Sequence, residues 1–324
     1  MEAKPDGAAP RYTRPMDQAL LPLSLILSVA ALVACGIIAA RGKRLVRRAR
    51  RAEVIAHSAQ AQLTYLRSRL YSQAAEFRLT QAKLAPAMPI VFRSQFGEDM
   101  FLFDLFQGRS TGFFIEVGAY DGLSMSVSYA FEAMGWTGLL VEPTPARAEA
   151  CRVNRPRSRV VHAALGAPGQ PPTATFLVGA TRARASEVSG GDMLSHLQGS
   201  SEHASRSDSA RRFTSITVPL MTLSEALGDV PGPIDFASID VEGGEWALIR
   251  GLDLSRHQPR VLLVEQGEGQ SGGDAPRITG HLRANGYEYI GAFMGSGVFV
   301  RGTEAALLAR ARQLLLACPP ASHA

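Results

Sequence analysis

Cysteine is scarce in this chain of 324 residues, which contains only Cys35, Cys151 and Cys318. Three widely separated cysteines cannot form the dense disulfide framework of a small secreted domain, so a reducing compartment suits the chain. The sequence also lacks Cys-x-x-Cys and His-x-x-x-His spacings, which are typical of zinc ligands. We therefore predict neither a disulfide scaffold nor a metal site.

Positive charge is largely confined to one short segment. The net charge is +5, but residues 41–51 alone carry seven arginines and lysines, and removing these seven leaves −2 for the rest of the chain. A protein that binds nucleic acid would carry a basic face on its folded domain. This charge distribution argues against nucleic acid as the main partner.

Charged residues are absent from the 22 positions of residues 19–40. As a helix this segment would span about 33 Å, close to the roughly 30 Å hydrocarbon core of a bilayer. The segment is long for the apolar part of a signal peptide, and a basic run follows where a cleavage site would stand. We predict a transmembrane helix at 19–40, preceded by a disordered N-terminus at 1–18.

Flanking charges predict the orientation of that helix. Residues 1–18 have no net charge, whereas the seven cations of residues 41–51 follow on the other side. The positive-inside rule then places the C-terminal bulk of the chain in the cytoplasm, as in a single-pass protein of a bacterial inner membrane. The same cations would attract anionic lipid headgroups.

A basic juxtamembrane spacer is predicted at 41–85, because residues 45–84 contain neither proline nor glycine and favour a helix. Apolar residues recur there at intervals of seven, with one residue between: Leu63, Leu66, Leu70, Phe77 and Leu84. This spacing is typical of a short coiled coil, through which the chain would form a homo-oligomer. Gln73 and Thr80 fill the alternate seam positions poorly, so a single amphipathic helix is at least as good an interpretation.

The rest of the chain, residues 92–324, alternates short apolar runs with helical segments. Residues 112–122 predict a buried strand and a tight glycine turn, with a helix from Ser124 to Gly135 after them. Arg159–Leu165 predicts a further strand, and residues 179–212, with few large apolar side chains, predict a flexible insertion. Ligands of such open α/β sheets bind at the carboxyl ends of the strands.

Acidic residues end four of the predicted parallel strands: Glu116, Glu142, Asp240 and Glu265. This edge suits a ligand with hydroxyls and positive charge, and the first glycine turn lacks the Gly-x-Gly-x-x-Gly fingerprint for a pyrophosphate. We therefore predict S-adenosyl-L-methionine as the cofactor in preference to NAD or ATP. Glu142 follows Gly118 by 24 residues, close to the spacing at which an acidic residue binds ribose hydroxyls.

Four motifs together resemble those of the FkbM family of S-adenosylmethionine-dependent methyltransferases: Ser94–Asp99, Phe114–Gly122, Gly135–Pro143 and Ser238–Glu245. The resemblance covers roughly residues 92–300 and implies a class I methyltransferase (Rossmann-like) α/β fold. Such a fold has a seven-stranded, mostly parallel sheet with its last strand antiparallel and helices on both faces. The resemblance further implies methyl transfer, usually to a hydroxyl of a sugar, lipid-linked or secondary-metabolite-like acceptor.

The resemblance also implies which residues form the site. Cofactor-binding positions would be Glu116, Gly118, Ala119, Asp121, Glu142, Pro143, Ala164, Leu165 and Asp240. Because the acceptor hydroxyl must lose its proton, a catalytic base is needed, and Asp240 is the first candidate and Glu265 the second. His162 is the third.

Two other interpretations stay open. The domain could be a catalytically inactive methyltransferase fold that acts as a membrane-tethered binding module, but the intact acidic strand ends argue against this. It could also be an enzyme for NAD or a nucleotide sugar on a similar sheet. A phosphate-binding glycine fingerprint should then follow the first strand, and it does not.

Overall fold

A computed structural model describes residues 59, 62–180, 196–197, 212–230, 232–266, 273–293 and 295–317. The predicted disordered N-terminus, transmembrane helix and basic run lie outside these residues, as does most of the predicted insertion at 179–212. None of the described helices is both long enough and apolar enough to cross a bilayer.

Eleven strands and eight helices are described. The strands are β1 Phe113–Val117, β2 Thr137–Glu142, β3 Arg159–His162, β4 Ala164–Leu165, β5 Thr173–Ala180, β6 His196–Leu197, β7 Arg212–Met221, β8 Phe236–Ile239, β9 Val261–Glu265, β10 Tyr287–Phe293 and β11 Ser296–Arg301. The helices are α1 62–81, α2 Glu98–Leu105, α3 Tyr129–Met134, α4 Pro145–Asn154, α5 Leu223–Leu227, α6 Glu245–Arg250, α7 Ala275–Ala284 and α8 Ala305–Ala317.

The larger sheet has seven strands in the order β10-β11-β9-β8-β1-β2-β3. All neighbouring pairs from β9 to β3 are parallel, whereas β11 is antiparallel to both β9 and β10. Strand β11, which is last in the chain, is therefore the one reversed strand of this sheet. This topology confirms the predicted class I methyltransferase-like α/β fold.

Helices cover both faces of the sheet because successive strand residues point to opposite sides. Phe114 packs into one core, together with side chains of α1, α2, α3 and α8. Ile115, the next residue, packs into a second core with side chains of α5, α6 and α7. The near-continuous apolar runs of the central strands are explained by this burial on both sides.

A second sheet of four strands has the order β4-β7-β5-β6. It corrects the prediction of one strand at Arg159–Leu165. The chain pairs with β2 only as far as His162, and Ala164 then pairs with Leu220 of β7. Strands β5 and β7 are antiparallel and extend to Ala180 and Arg212, at the two ends of the predicted insertion.

Helix α1 belongs to the folded domain, which therefore begins before the predicted boundary at residue 92. Ala75 and Leu79 on this helix are buried in the first core, and the Ser68 hydroxyl donates to the Phe92 carbonyl at 2.6 Å. The helix ends where Lys83 adopts a φ of 56° and the Leu84 N–H donates to the Leu79 carbonyl. Residues Thr64–Ala324 form one compact unit.

Helix α3 begins at Tyr129 instead of the predicted Ser124. Side chains compete with a helix for the backbone N–H groups of this segment. The Asp121 carboxylate accepts from the N–H groups of Leu123 and Ser124, at 2.9 and 2.7 Å. Met125 then has a φ of 55°, so residues 123–128 form an irregular loop over the carboxyl end of β1.

Candidate active site

Four neighbouring strands bring one residue each to the same level of the carboxyl edge. Val117 of β1 is aligned with Val141 of β2 and with Ile239 of β8. Ile239 is in turn aligned with Val264 of β9. One residue further along each strand lie four residues that we call the edge row: Glu142, Gly118, Asp240 and Glu265. With strands about 4.8 Å apart, the edge row spans about 14 Å.

Gly118 allows the chain to turn at the centre of the edge row. Its φ is 80°, and a Cβ at this position would lie 1.9 Å from the Asp240 carbonyl oxygen. Only glycine lets the two backbones approach so closely. Gly118 is also exposed, so the backbone at the centre of the row is accessible to a ligand.

Glu142 lies at one end of the edge row and is almost fully buried, with 6% of its surface exposed. One carboxylate oxygen accepts from the Tyr120 N–H at 3.0 Å, and the other accepts from the Thr144 N–H at 2.8 Å. Burial raises the pKa of Glu142 to about 7, although these hydrogen bonds oppose the rise. Each oxygen keeps acceptor capacity for one more donor, such as the hydroxyls of a vicinal diol.

Asp240 and Glu265 form a carboxyl pair at the other end of the edge row. Asp240 is exposed to solvent at this edge, although many protein atoms lie around its carboxyl group. The two side chains lie close enough for each to affect the pKa of the other. Burial raises the pKa of both groups, and the charge of Asp240 raises that of Glu265 further.

Glu242 and Glu245 add negative charge beside this pair. Glu245 is buried, and one of its oxygens accepts from the N–H groups of Val241 and Gly243, at 3.2 and 3.1 Å. It therefore shapes the turn after β8. Glu242 adopts a φ of 55° within the same turn. Of Asp240, Glu242 and Glu245, only Asp240 lies in the edge row.

Glu116 lies beneath the edge row, in contact with a buried arginine that the sequence analysis did not single out. Its carboxylate accepts from the Ser126 hydroxyl and the Val127 N–H, both at 2.8 Å, and from the Ser128 hydroxyl. Arg155 approaches it to 3.5 Å and is itself fully buried. A direct contact of this carboxylate with the cofactor stays a prediction. The partners found here hold the loop above β1 instead.

Arg155 also binds a second buried carboxylate. Its Nε donates to Glu132 at 2.9 Å, and its Nη atoms donate to Ser126, Ser128 and the Gly122 carbonyl at 2.7–3.1 Å. No local pattern predicts these contacts, because the two glutamates lie 39 and 23 residues earlier in the chain. The only sequence signals are the paired serines of the loop and two acids in apolar surroundings.

The other predicted cofactor positions have mixed surroundings. Ala119 is buried, and Asp121 caps the loop that follows it. Burial alone would raise the pKa of Asp121, but the hydrogen bonds from Ser124 and Leu123 lower it below the ordinary value. Ala164 and Leu165 are buried in apolar clusters. The cofactor roles of these residues stay predictions.

His162, the third candidate base, contacts the turn after β2. His162 Nε2 lies 3.0 Å from the Pro143 carbonyl, which can only accept a hydrogen bond, so this nitrogen carries the proton. His162 therefore contributes to the position of Pro143, next to Glu142. This contact favours the structural interpretation of His162 over that of a base.

The Ser94–Asp99 motif lies beside the loop above β1, because Ser94 forms a parallel bridge with Met125. Asp99 is fully buried and accepts from the hydroxyl and N–H of Ser94, at 2.5 and 3.0 Å. Burial raises the pKa of Asp99 to about 6. In return, the Ser94 hydroxyl accepts from the N–H groups of Gly97 and Asp99, so the motif fixes the backbone at the start of α2.

The methyltransferase FkbM domain model matches residues 116–289, which is more than half of the chain. The chain belongs to the FkbM methyltransferase family. The predicted family and its cofactor, S-adenosylmethionine, are thereby confirmed, and the protein is a methyltransferase that depends on that cofactor.

Solved structures resemble this FkbM methyltransferase more distantly. A TehB-like SAM-dependent methyltransferase from Corynebacterium glutamicum has 12% identity and a TM-score of 0.34, over 73% of this chain and 98% of that one. A precorrin-6Y C5,15-methyltransferase from Geobacter metallireducens has 13% identity and a TM-score of 0.33, over 68% of this chain and 93% of that one. An O-methyltransferase from Bacillus cereus has 16% identity and a TM-score of 0.32, over 73% of this chain and 96% of that one. TM-scores this low do not support any statement about the function of this chain. No curated protein matches the chain.

The residues of the edge row fit S-adenosylmethionine. At one end, the Glu142 carboxylate can accept hydrogen bonds from the ribose diol. At the other end, the acidic surroundings of Asp240 suit a ligand with ammonium and sulfonium charges. Among the described residues, no group of three histidine, cysteine or acidic side chains is arranged to hold a metal ion.

A contact between Arg147 and Tyr120, near Glu142, was also not predicted from the sequence. The Arg147 guanidinium lies 3.9 Å from the centre of the Tyr120 ring, and it also donates to the Tyr120 hydroxyl at 2.6 Å. Tyr120 has a φ of 54°, and its N–H holds Glu142. The signal in the sequence is the tyrosine inside the Gly-Ala-Tyr-Asp-Gly turn.

Proposed function

We propose that this FkbM methyltransferase methylates a hydroxyl oxygen of a sugar, glycolipid, lipid-linked or related small-molecule acceptor, with Asp240 as the catalytic base. The observation that carries the proposal is the Asp240–Glu265 carboxyl pair, which lies beside Gly118 at the carboxyl edge of the sheet. A base is needed because the acceptor oxygen must lose its proton when it is methylated.

The two carboxyls of the pair have different roles in this proposal. Glu265 keeps a proton and donates it in a hydrogen bond to Asp240, which orients the Asp240 carboxylate. Burial and, to a smaller extent, the charge of Glu116 raise the pKa of Asp240 and make it a stronger base than a free aspartate. The other Asp240 oxygen then takes the proton of the acceptor hydroxyl.

The cofactor supplies an already activated methyl group on its sulfonium. The chain must therefore hold the acceptor oxygen in line with that methyl, with the reacting atoms about 3–3.5 Å apart. We assign this positioning to the carboxyl edge around Asp240 and Gly118. The negative charge of the Asp240 pair, Glu242 and Glu245 favours a cationic donor there over the neutral product that leaves.

We also propose that the reaction takes place at the cytoplasmic face of a membrane. The support is in the sequence, where the uncharged residues 19–40 precede the seven cations of residues 41–51. A lipid-linked or glycolipid acceptor suits this location, because both enzyme and acceptor would then be confined to one surface.

Asp240→Asn tests the base. The two side chains are nearly isosteric, so the fold should persist while methyl transfer falls by about 10²–10⁴-fold. The measurement is transfer of labelled methyl from S-adenosylmethionine to an extract of lipids and glycans, with cofactor affinity measured in parallel. If Asp240 is the base, affinity changes little and saturating cofactor does not restore the rate.

Asp229→Asn is the matched control, because the Asp229 side chain is 99% exposed. Full turnover by Asp240→Asn would exclude Asp240, and Glu265 would become the residue to test. A wild-type chain that binds the cofactor but methylates nothing in any extract would support the inactive binding module instead.

A further inference from the structure

Helix α1 carries a row of large apolar side chains that face solvent. This apolar stripe consists of Leu66, Leu70 and Phe77, with Leu84 just beyond the end of the helix, and 47–65% of the surface of each is exposed. At 100° per residue, the stripe lies on the face of α1 opposite Ala75 and Leu79, which are buried in the domain. The domain therefore does not cover the stripe.

A contiguous row of exposed large apolar side chains marks a surface that binds a membrane or another protein. The charged residues beside the stripe are mostly basic, since Arg67, Arg69 and Lys83 are exposed against a single acid, Glu76. Apolar side chains flanked by arginine and lysine are typical of helices that lie in the interface of a membrane.

We propose that the apolar stripe docks onto the surface of a bilayer that contains anionic phospholipids, so that α1 lies flat between the membrane and the domain. A second copy of the chain is the competing occupant. Gln73 and Thr80 lie on the same face as the stripe and are exposed. Both would be buried in the apolar seam of a coiled coil, whereas at a membrane surface they can lie among headgroups.

Two further exposed apolar side chains lie between α1 and the loop above β1. The Arg67 guanidinium lies 4.0 Å from the point where a side chain on Gly97 would begin. The adjacent Phe96 is 41% exposed, and Met125, in the loop above β1, is 37% exposed. Docking would thus bring this loop close to the lipid. A membrane-embedded acceptor could then reach the edge row, a consequence that rests on the proposed function.

The test uses fragment 59–324, which contains the compact unit Thr64–Ala324 and lacks the predicted transmembrane helix. Sedimentation with vesicles measures its binding to equal parts of phosphatidylglycerol and phosphatidylcholine, and to phosphatidylcholine alone. We expect binding to the anionic vesicles that weakens as salt is added. Leu70→Glu combined with Phe77→Glu should weaken it about tenfold or more, because two buried apolar anchors are lost.

Val153→Glu and Leu316→Glu are matched controls, since these side chains are 73% and 84% exposed on α4 and α8. Both controls should bind vesicles like the unmodified fragment. The proposal is overturned if the fragment stays in solution with both kinds of vesicle, or if it forms a dimer that Leu70→Glu dissociates. Cofactor binding by the same fragment does not require the stripe, so its persistence would separate this failure from failure of the proposed function.

Discussion

Carboxylates near the edge row divide according to the partners that surround them. Glu116 and Asp121 are occupied by hydroxyl and N–H groups of the following loop, so they shape the backbone. Glu142 has two N–H partners and keeps acceptor capacity, and Asp240 is exposed beside Glu265. The residues that can act on a ligand are therefore those whose hydrogen-bonding capacity the fold does not exhaust.

Glu142→Gln should weaken S-adenosylmethionine binding and remove its dependence on pH. Because the pKa of Glu142 is raised to about 7, its proton leaves as the pH rises from about 6 to about 8. The charged carboxylate is the stronger acceptor for ribose hydroxyls, by about 1–2 kcal/mol, so affinity should rise over this range in the unmodified protein. Glu142→Gln should show a flat, weaker profile in calorimetric titrations.

Glu149→Gln is the control for this pH dependence, because Glu149 is exposed on the neighbouring helix α4. It should retain the full rise in affinity. Unchanged affinity in a folded Glu142→Gln protein would remove the ribose role from Glu142.

Arg155→Met should destabilise the domain by about 3–5 kcal/mol, because it leaves Glu116 and Glu132 as buried carboxylates without their common cation. Urea unfolding followed by circular dichroism measures the loss. Arg152→Met on the same helix is the control, and it should cost little because Arg152 is 45% exposed. A loss as small as that of the control would contradict the structural role of Arg155.

At the scale of elements, sequence patterns predicted the central strands well and the irregular connections poorly. The buried strand predicted within residues 112–122 is β1, because a short apolar run buried on both faces has few alternatives. The helix predicted from Ser124 begins at Tyr129, since two carboxylates take the N–H groups that a helix would use. Likewise, nothing in the sequence near His162 indicates that β4 joins another sheet.

The site was predictable to the extent that it follows from parallel strands. Residues at the ends of such strands meet at one edge, so Glu142, Asp240 and Glu265 could be grouped before their register was known. The Arg155 network could not, because side chains from distant parts of the chain meet there. Its two acids were visible in the sequence, but their shared cation was not.

Leu79→Ala tests whether α1 belongs to the folded domain. Leu79 is 2% exposed, and its truncation leaves a cavity in the first core, so the loss should be about 2–5 kcal/mol. Leu70→Ala, on the exposed face of the same helix, should cost within about 0.5 kcal/mol. Thermal and urea unfolding of fragment 59–324 measure both. Equal effects of the two changes would show that α1 is only a spacer.

At the scale of the whole molecule, the account joins a class I methyltransferase domain to an N-terminal segment that we predict to be a membrane anchor. Helix α1 stands between the two in sequence and is packed on the domain through one face. Its other face carries the apolar stripe. The chain thus has two features that favour a membrane, and they can be tested separately, since the stripe lies in the described domain and the predicted anchor at 19–40 does not.

The central claim is that the carboxyl edge of the larger sheet is a site for S-adenosylmethionine. Its most direct test is a calorimetric titration of fragment 59–324 with S-adenosylmethionine, NAD and a nucleotide sugar under the same conditions. We predict saturable binding of S-adenosylmethionine at one site per chain, competition by S-adenosylhomocysteine, and no binding of the other two. A folded fragment that binds NAD or the nucleotide sugar, and not S-adenosylmethionine, would contradict the account.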